Sequence, residues 1–446
     1  MTGTETDMSR RIIIVFGILS LAMSSIFGGY WLYRADASGQ TASAAEAYKT
    51  PAEQDVYVRF DMEIFDIIMS NYWQKGSEAD LAGLYQLALA KAEGIAAETL
   101  PSPDRAGAAV MLGEALTRTA QDKRKDLAVN TGIIVLANLA PQGRSGLLSE
   151  KQEQQFRDTA NNINRDDDLY SDLGVKEGAS TAQVQQAFDE KKAVLEASSS
   201  PAAKQELAVA AHAHEVLADT GSKAIYDETK IEPSVVSHII GTHTLYLDLS
   251  QVTPATLQEF VNTMEKTKDN PQLTGMVIDV RGNIGGTLDF AKYLLALFVG
   301  PNQYAFDLFH QGEMQVERTP AVAKIESLKD FKEIAILTDA MTQSTAELTT
   351  TIFKRMHMAT VVGTKTRGWG TVENTFPITT QIHEGERYSV LLVHSLTLRE
   401  DNEPIEGKGV DPDIDITATD WRQKVADTFR SSGMASAVIE ALGFKK

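Results

Sequence analysis

The spacing of apolar and polar positions divides the chain into two helical blocks followed by a half in which strand and helix alternate. From Ala52 onward, Phe60, Ile64, Ile67, Ile68 and Tyr72 recur at three- and four-residue steps, which gathers them on one helical face. DLAGLYQLALAKAEG continues that pattern, and PSPD at 101–104 breaks it. Helical spacing resumes over 105–120 and again in LAVNTGIIVLANLAP, so residues 51–165 read as an α-helical region. Residues 166–230 form a second helical block: a loop, a helix capped near Ser180 or Thr181, a second helix ELAVAAHAHEVLAD, and the closing run GSKAIYDE. Over 237–446 the period changes. GTHTLYLDLS, GMVIDVRG, EIAILTD and ATVVGT suit buried strands; TPATLQEFVNTMEKTKDN, TLDFAKYLLALFVG and TAELTTTIFKRMH suit helices, the first with Thr253 as cap. This alternation predicts an α/β layered core, with added β structure over 377–399 and a helical tail.

The N-terminus carries a different signal. Ile12 to Tyr33 is an uncharged apolar run with Arg10 and Arg11 before it and Tyr30, Trp31 and Tyr33 at its far end. About 20 apolar residues cross a bilayer as a helix, aromatic rings favour its interface, and a positive flank favours the inner side. Residues 1–34 are thus expected to be a single-pass membrane anchor, with the small polar stretch 35–50 as tether and the bulk of the chain on the extracytoplasmic side. A cleaved signal peptide is the competing reading, because small residues follow at Ala35 to Ala45.

Composition narrows the chemistry. The chain has 446 residues, enough for two or three domains, and a net charge of −19, which argues against nucleic-acid partners. It has no cysteine, so disulfides, thiolate metal sites and a cysteine nucleophile are excluded. No HExxH, Walker or GxGxxG pattern occurs, and no cofactor is expected.

Ser344 stands at the junction between the strand run EIAILTD and the helix run TAELTTTIFKRMH. Such a junction exposes a hydroxyl beside helical N–H groups that favour developing negative charge. The order L-T-D, then S-x-x-E, a helix, and VVGTKTRGWGTV resembles the tail-specific (C-terminal processing) serine proteases. MVIDVRGNIGG at 276–286 and GVDPDI at 409–414 match two further motifs of that family in order. The resemblance covers roughly 238–416, with 50–100 matching loosely. It implies a ClpP/crotonase-like layered core, a protein or peptide substrate, Ser344 as nucleophile, and oxyanion donors from the N–H of Thr345 and of Gly285 or Gly286. It also implies that the helical part packs subunits together as a homodimer.

One departure bears directly on the chemistry. The family pairs its serine with a lysine in G-K-G and a glutamine four residues later; here Trp369 and Glu373 hold those positions. Indole cannot accept a proton, and a serine hydroxyl needs a base beside it. Lys365, in the same returning loop, and His243, ahead of the first core strand, are the candidate bases. Residues 166–230 resemble a J domain in LYSDLGV, EVLAD and YDE, with Glu196, Ala197 and Ser198 where the His-Pro-Asp tripeptide would stand. This block occupies the place usually held by a PDZ domain, so capture of substrate in a PDZ groove is not expected. Two functions remain open on the sequence: a peptidase with a non-standard base, and a catalytically silent descendant that binds peptides or scaffolds other proteins.

Overall fold

The computed structural model describes residues 49–160, 168–197 and 200–444. The expected anchor and nearly all of its tether lie outside them. Among the described residues no helix is long and apolar enough to cross a membrane.

The first unit is a bundle of α1 (Val56–Asn71), α2 (Glu78–Glu93), α3 (Arg105–Arg118) and α4 (Arg124–Ala137). Side chains of Asp55, Ser77 and Asp104 accept the first free N–H groups of the first three helices. Gly94, in the left-handed conformation, ends α2. Phe60, Ile64, Phe65 and Ile68 of α1 bury themselves against Tyr85, Leu112 and Val135. The same apolar cluster takes in Val390, Leu392 and Leu396, so the bundle is seated on the second half of the chain.

The expected helical region is interrupted before it ends. Gly146–Ser149 form a strand, β1, and α5 (Glu150–Ala160) follows it. The run GLLS is too short to make a helix, but it pairs antiparallel with residues 388–391 of a later strand. Next come α6 (Leu169–Asp172), α7 (Thr181–Glu196), α8 (Pro201–Ala218) and α9 (Thr220–Thr229), packed around Tyr170, Val184, Ala210, Leu217 and Tyr226. No strand occurs among the described residues of this small unit.

The remaining chain begins with β2 (Val235–Ile240), β3 (Thr244–Leu249), α10 (Pro254–Thr267), β4 (Gly275–Asp279) and α11 (Asp289–Val299). It continues through β5 (Tyr304–His310), β6 (Glu313–Arg318), β7 (Glu333–Thr338), α12 (Thr345–Arg355) and β8 (Thr360–Gly363). β9 (Thr371–Pro377), β10 (Tyr388–Thr397), β11 (Ile414–Asp415), α13 (Trp421–Thr428) and α14 (Ser432–Ala441) complete it. The main sheet has the order β11-β8-β7-β4-β3-β2 and is parallel except for β2. Helices α10 to α12 cover one face through Phe260, Leu294 and Ile352; α13 and α14 cover the other through Val425, Met434 and Val438. Burial on both faces explains why β4 is buried at every position and reads as an unbroken apolar run. A smaller sheet, β1-β10-β5-β6 with β9 on the other side of β10, lies under the helical bundle.

This topology fixes where a site can form. In parallel sheets flanked by helices, ligands bind beyond the carboxyl ends of the strands. The loops after β4, β7 and β8 emerge together at that edge, and they carry the NIGG turn, Ser344 and the RGWG segment.

Candidate active site

Ser344 immediately precedes α12 with φ 51° and ψ −124°. A residue with a Cβ held at positive φ costs about 1–3 kcal/mol, and such strain persists only where the surroundings enforce it. The enforcement is visible. The Gln343 N–H donates to the Asn283 carbonyl at 2.8 Å, and the Ser344 N–H donates to the Glu347 carboxylate at 2.9 Å. The Thr342 hydroxyl donates to the Val280 carbonyl at 2.9 Å, and the Asp339 carboxylate accepts N–H groups from Met341, Thr342 and Gly282. Leu348, Ile352 and Phe353 anchor α12 in the core, each contributing about 1.5–3 kcal/mol by burial.

The NIGG turn is built around the fully buried Asn283. Its Nδ2 donates to the Leu249 carbonyl at 2.7 Å and its Oδ1 accepts the Gly285 N–H at 2.8 Å. A Cβ on Gly285 would fall 2.6 Å from the Ser344 Cβ, and one on Gly286 would fall 1.9 Å from the Val252 carbonyl oxygen. Only glycine allows this approach. The Gly285 N–H is therefore already committed. Among the described residues the N–H groups of Gly286 and Thr345 have no acceptor, and the Thr345 hydroxyl donates to the Gly286 carbonyl at 3.0 Å, tying the two segments together. Of the two glycines offered by the sequence, Gly286 is the one with a donor to give. Thr345 adds a free first-turn N–H at the positive end of α12.

Ser344, Thr345, Gly285 and Gly286 line a cleft of about 650 Å³. Ile284, Leu348 and Phe156 give it apolar surface, and Arg144, Thr159, Trp369, Thr371, Glu373 and Asn374 also line it. Trp369 is half-buried. The Arg144 guanidinium lies 3.2 Å from the centre of its ring, and its indole N–H donates to Glu373 at 3.2 Å. Glu373 also accepts from the Thr371 hydroxyl at 2.6 Å. Burial pushes the Glu373 carboxyl up, against the pull of these two donors and of Arg144.

Glu347 is the hinge pin between the serine loop and the RGWG segment. Besides the Ser344 N–H, its buried carboxylate accepts the N–H of Gly368 at 2.7 Å, the N–H of Trp369 at 2.8 Å and the Thr366 hydroxyl. Burial raises its pKa more than these four donors lower it. The S-x-x-E spacing of a capping box was the signal for it; Asn283 and Arg144, also without a role in the sequence reading, stand in the site as well. Arg144 comes from a loop 200 residues upstream of the serine, and nothing local marks it.

The two candidate bases lie elsewhere. His243 is exposed at the amino end of β3, with its Nδ1 3.1 Å from the Gln272 carbonyl. Thr244, Gly275 and Glu333 are in register across parallel strands, so His243 marks one edge of the sheet while Ser344 follows the opposite one. The strands between them span about 15–20 Å. Lys365 is exposed and its ammonium sits 3.2 Å from the Asp411 carboxylate, turned away from the cleft. Neither residue lines the cleft. Among the described residues no group of three or more His, Asp or Glu side chains is placed to hold a metal ion.

Comparison with known proteins gives this core its class. Residues 243–416 match the model of Peptidase family S41. The chain is 28% identical over 172 residues to the carboxy-terminal-processing protease of Bartonella bacilliformis, covering 38% of each protein. It is 25% identical over 190 residues to the carboxy-terminal processing protease CtpB of Bacillus subtilis, covering 43% of this chain and 36% of that one. The match thus spans little more than a third of these relatives' length. Among solved structures, the photosystem II D1 C-terminal processing protease aligns with 81% of this chain and 93% of its own at 12% identity and a TM-score of 0.46. Over residues 243–416 the chain is thus similar to Peptidase family S41, and the relatives it aligns with there are carboxy-terminal processing proteases.

Proposed function

We propose that the chain is a membrane-anchored serine peptidase of the tail-specific type, cleaving protein chains outside the cytoplasm. The observation that carries this reading is the strained Ser344 in an open cleft beside two uncommitted N–H groups. Its hydroxyl would attack the scissile carbonyl, and the N–H groups of Thr345 and Gly286 would receive the oxyanion. Preorganised donors of this kind are worth roughly 100- to 1,000-fold in rate each. Among the described residues β9 pairs only with β10, and its residues 371–374 line the cleft, which suits an extended substrate backbone laid along its other edge. The apolar run Ile12 to Tyr33 supports the anchor. Self-association through the bundle belongs to the same proposal; exposed Leu87, Val110 and Ile133 offer it apolar contacts, and sedimentation tests it.

A second reading, a silent peptidase fold that binds peptides without cutting them, is favoured by one observation. Neither lysine nor histidine is among the described residues of the cleft. Incubation with an unfolded polypeptide separates the two. Fragments from the wild type and none from Ser344→Ala support the peptidase; binding by both proteins without fragments supports the silent form.

A further inference from the structure

We infer that Glu373 is the general base for Ser344, an assignment that rests on the peptidase reading. Of the described side chains that line the cleft, only Arg144 and Glu373 carry an ionisable group. A guanidinium does not give up its proton in proteins, so Glu373 is the one acceptor available. Its Oε1 is fixed by the Trp369 indole N–H at 3.2 Å and the Thr371 hydroxyl at 2.6 Å. Its Oε2 accepts no hydrogen bond from another described residue, which leaves it an available acceptor in the cleft that Ser344 also lines. The strand β9 holds it rigidly. Trp369 thus acquires a purpose at the lysine position: it orients a carboxylate and keeps water from one side of it.

The charged groups around Glu373 are few. Arg144 draws it toward ionisation, but Arg144 also pairs with Glu406 at 3.3 Å. Glu347 lies beyond Trp369, accepting that residue's backbone N–H. Burial outweighs Arg144 and leaves the carboxyl above its ordinary range, nearer the pH at which a base works.

The step balances without a cofactor. The Ser344 oxygen bonds to the scissile carbonyl carbon, its proton passes to Glu373, and the carbonyl electron pair becomes the oxyanion under Thr345 and Gly286. As the C–N bond breaks, Glu373 returns that proton to the leaving amine nitrogen. A water then attacks the acyl carbon, gives its proton to Glu373, and the Ser344 oxygen leaves and takes the proton back.

The test is the rate at which a fluorophosphonate labels Ser344 as a function of pH, in the wild type and in Glu373→Gln. Glutamine keeps an oxygen for Trp369 and Thr371, and a thermal melt verifies the fold. The wild-type rate is expected to fall on the acid side as Glu373 takes up its proton. Glu373→Gln is expected to label about 100-fold more slowly or worse near neutrality and to lack that acid limb. Equal rates and equal pH profiles in the two proteins would overturn the assignment while leaving Ser344 as nucleophile. A wild type that never labels would overturn both.

Discussion

Replacing Glu347 by alanine removes the single carboxylate that joins the serine loop to the RGWG segment. Four donors lose their acceptor: the N–H groups of Ser344, Gly368 and Trp369 and the Thr366 hydroxyl. Ser344 and Trp369 are half-buried, so water can take over part of their loss. Gly368 and Thr366 are buried, although Thr366 keeps its other contact, an N–H received from Val410 at 2.7 Å. An orphaned buried donor costs about 1–3 kcal/mol. Relief of the desolvated carboxylate offsets some of this, and a net loss of about 3 kcal/mol is expected. At about 2–4 °C per kcal/mol for a domain of this size, the melting point should fall by about 6–12 °C. Urea unfolding and thermal melts of Glu347→Ala measure it, with Glu347→Gln beside it. Glutamine retains one acceptor oxygen but turns an NH₂ toward N–H donors, so its loss should be smaller. A Glu347→Ala protein that unfolds within about 0.5 kcal/mol of the wild type would refute the hinge role.

Two further outcomes follow from the same geometry. Gly285→Ala places a methyl 2.6 Å from the Ser344 Cβ at φ 91°, so Ser344-dependent cleavage should be lost while the far-UV dichroism of the bundle is kept; unchanged cleavage would contradict the close approach. Glu259, on α10, accepts the N–H groups of Ser234 and Val235 at 2.8 Å, and burial pushes its carboxyl from 4.5 up to about 7. Because the folded state holds this proton more tightly, the associated stability is complete below pH 4.5 and is lost as pH rises through about 7. Urea unfolding should show a decline of about 3 kcal/mol over that window, flattened in Glu259→Gln.

What could be read from the sequence, and what could not, follows physical lines. The mixed α/β character was legible because β3, β4, β7 and β8 are short apolar runs and α10 to α12 longer periodic ones; β2 and the two-residue β11 carry no such run. β1 was not, because Gly146–Ser149 become a strand only where β10 offers its edge. The β5–β6 hairpin went unread as well; Gln311 and Gly312 form its turn with φ 51° and 90°. The serine loop was locatable by the order of its motifs, but the backbone strain at Ser344 is imposed jointly by Glu347, three residues on, and by Asn283 from the distant NIGG turn. His243 was misplaced because proximity in sequence to the core does not say which edge of a parallel sheet a residue occupies. Arg144 illustrates the opposite case, in which a distant loop delivers a side chain onto Trp369 with no sequence pattern to announce it.

The central claim is that the Ser344 oxygen is a nucleophile beneath two backbone donors. A crystal structure with a peptide boronate, which mimics the tetrahedral adduct, addresses it directly. Boron is expected bonded to the Ser344 oxygen, with a boronate oxygen about 2.7–3.1 Å from the N–H groups of Thr345 and Gly286. A boronate absent from the cleft, or bound there with the serine oxygen free and those two donors turned elsewhere, would contradict it.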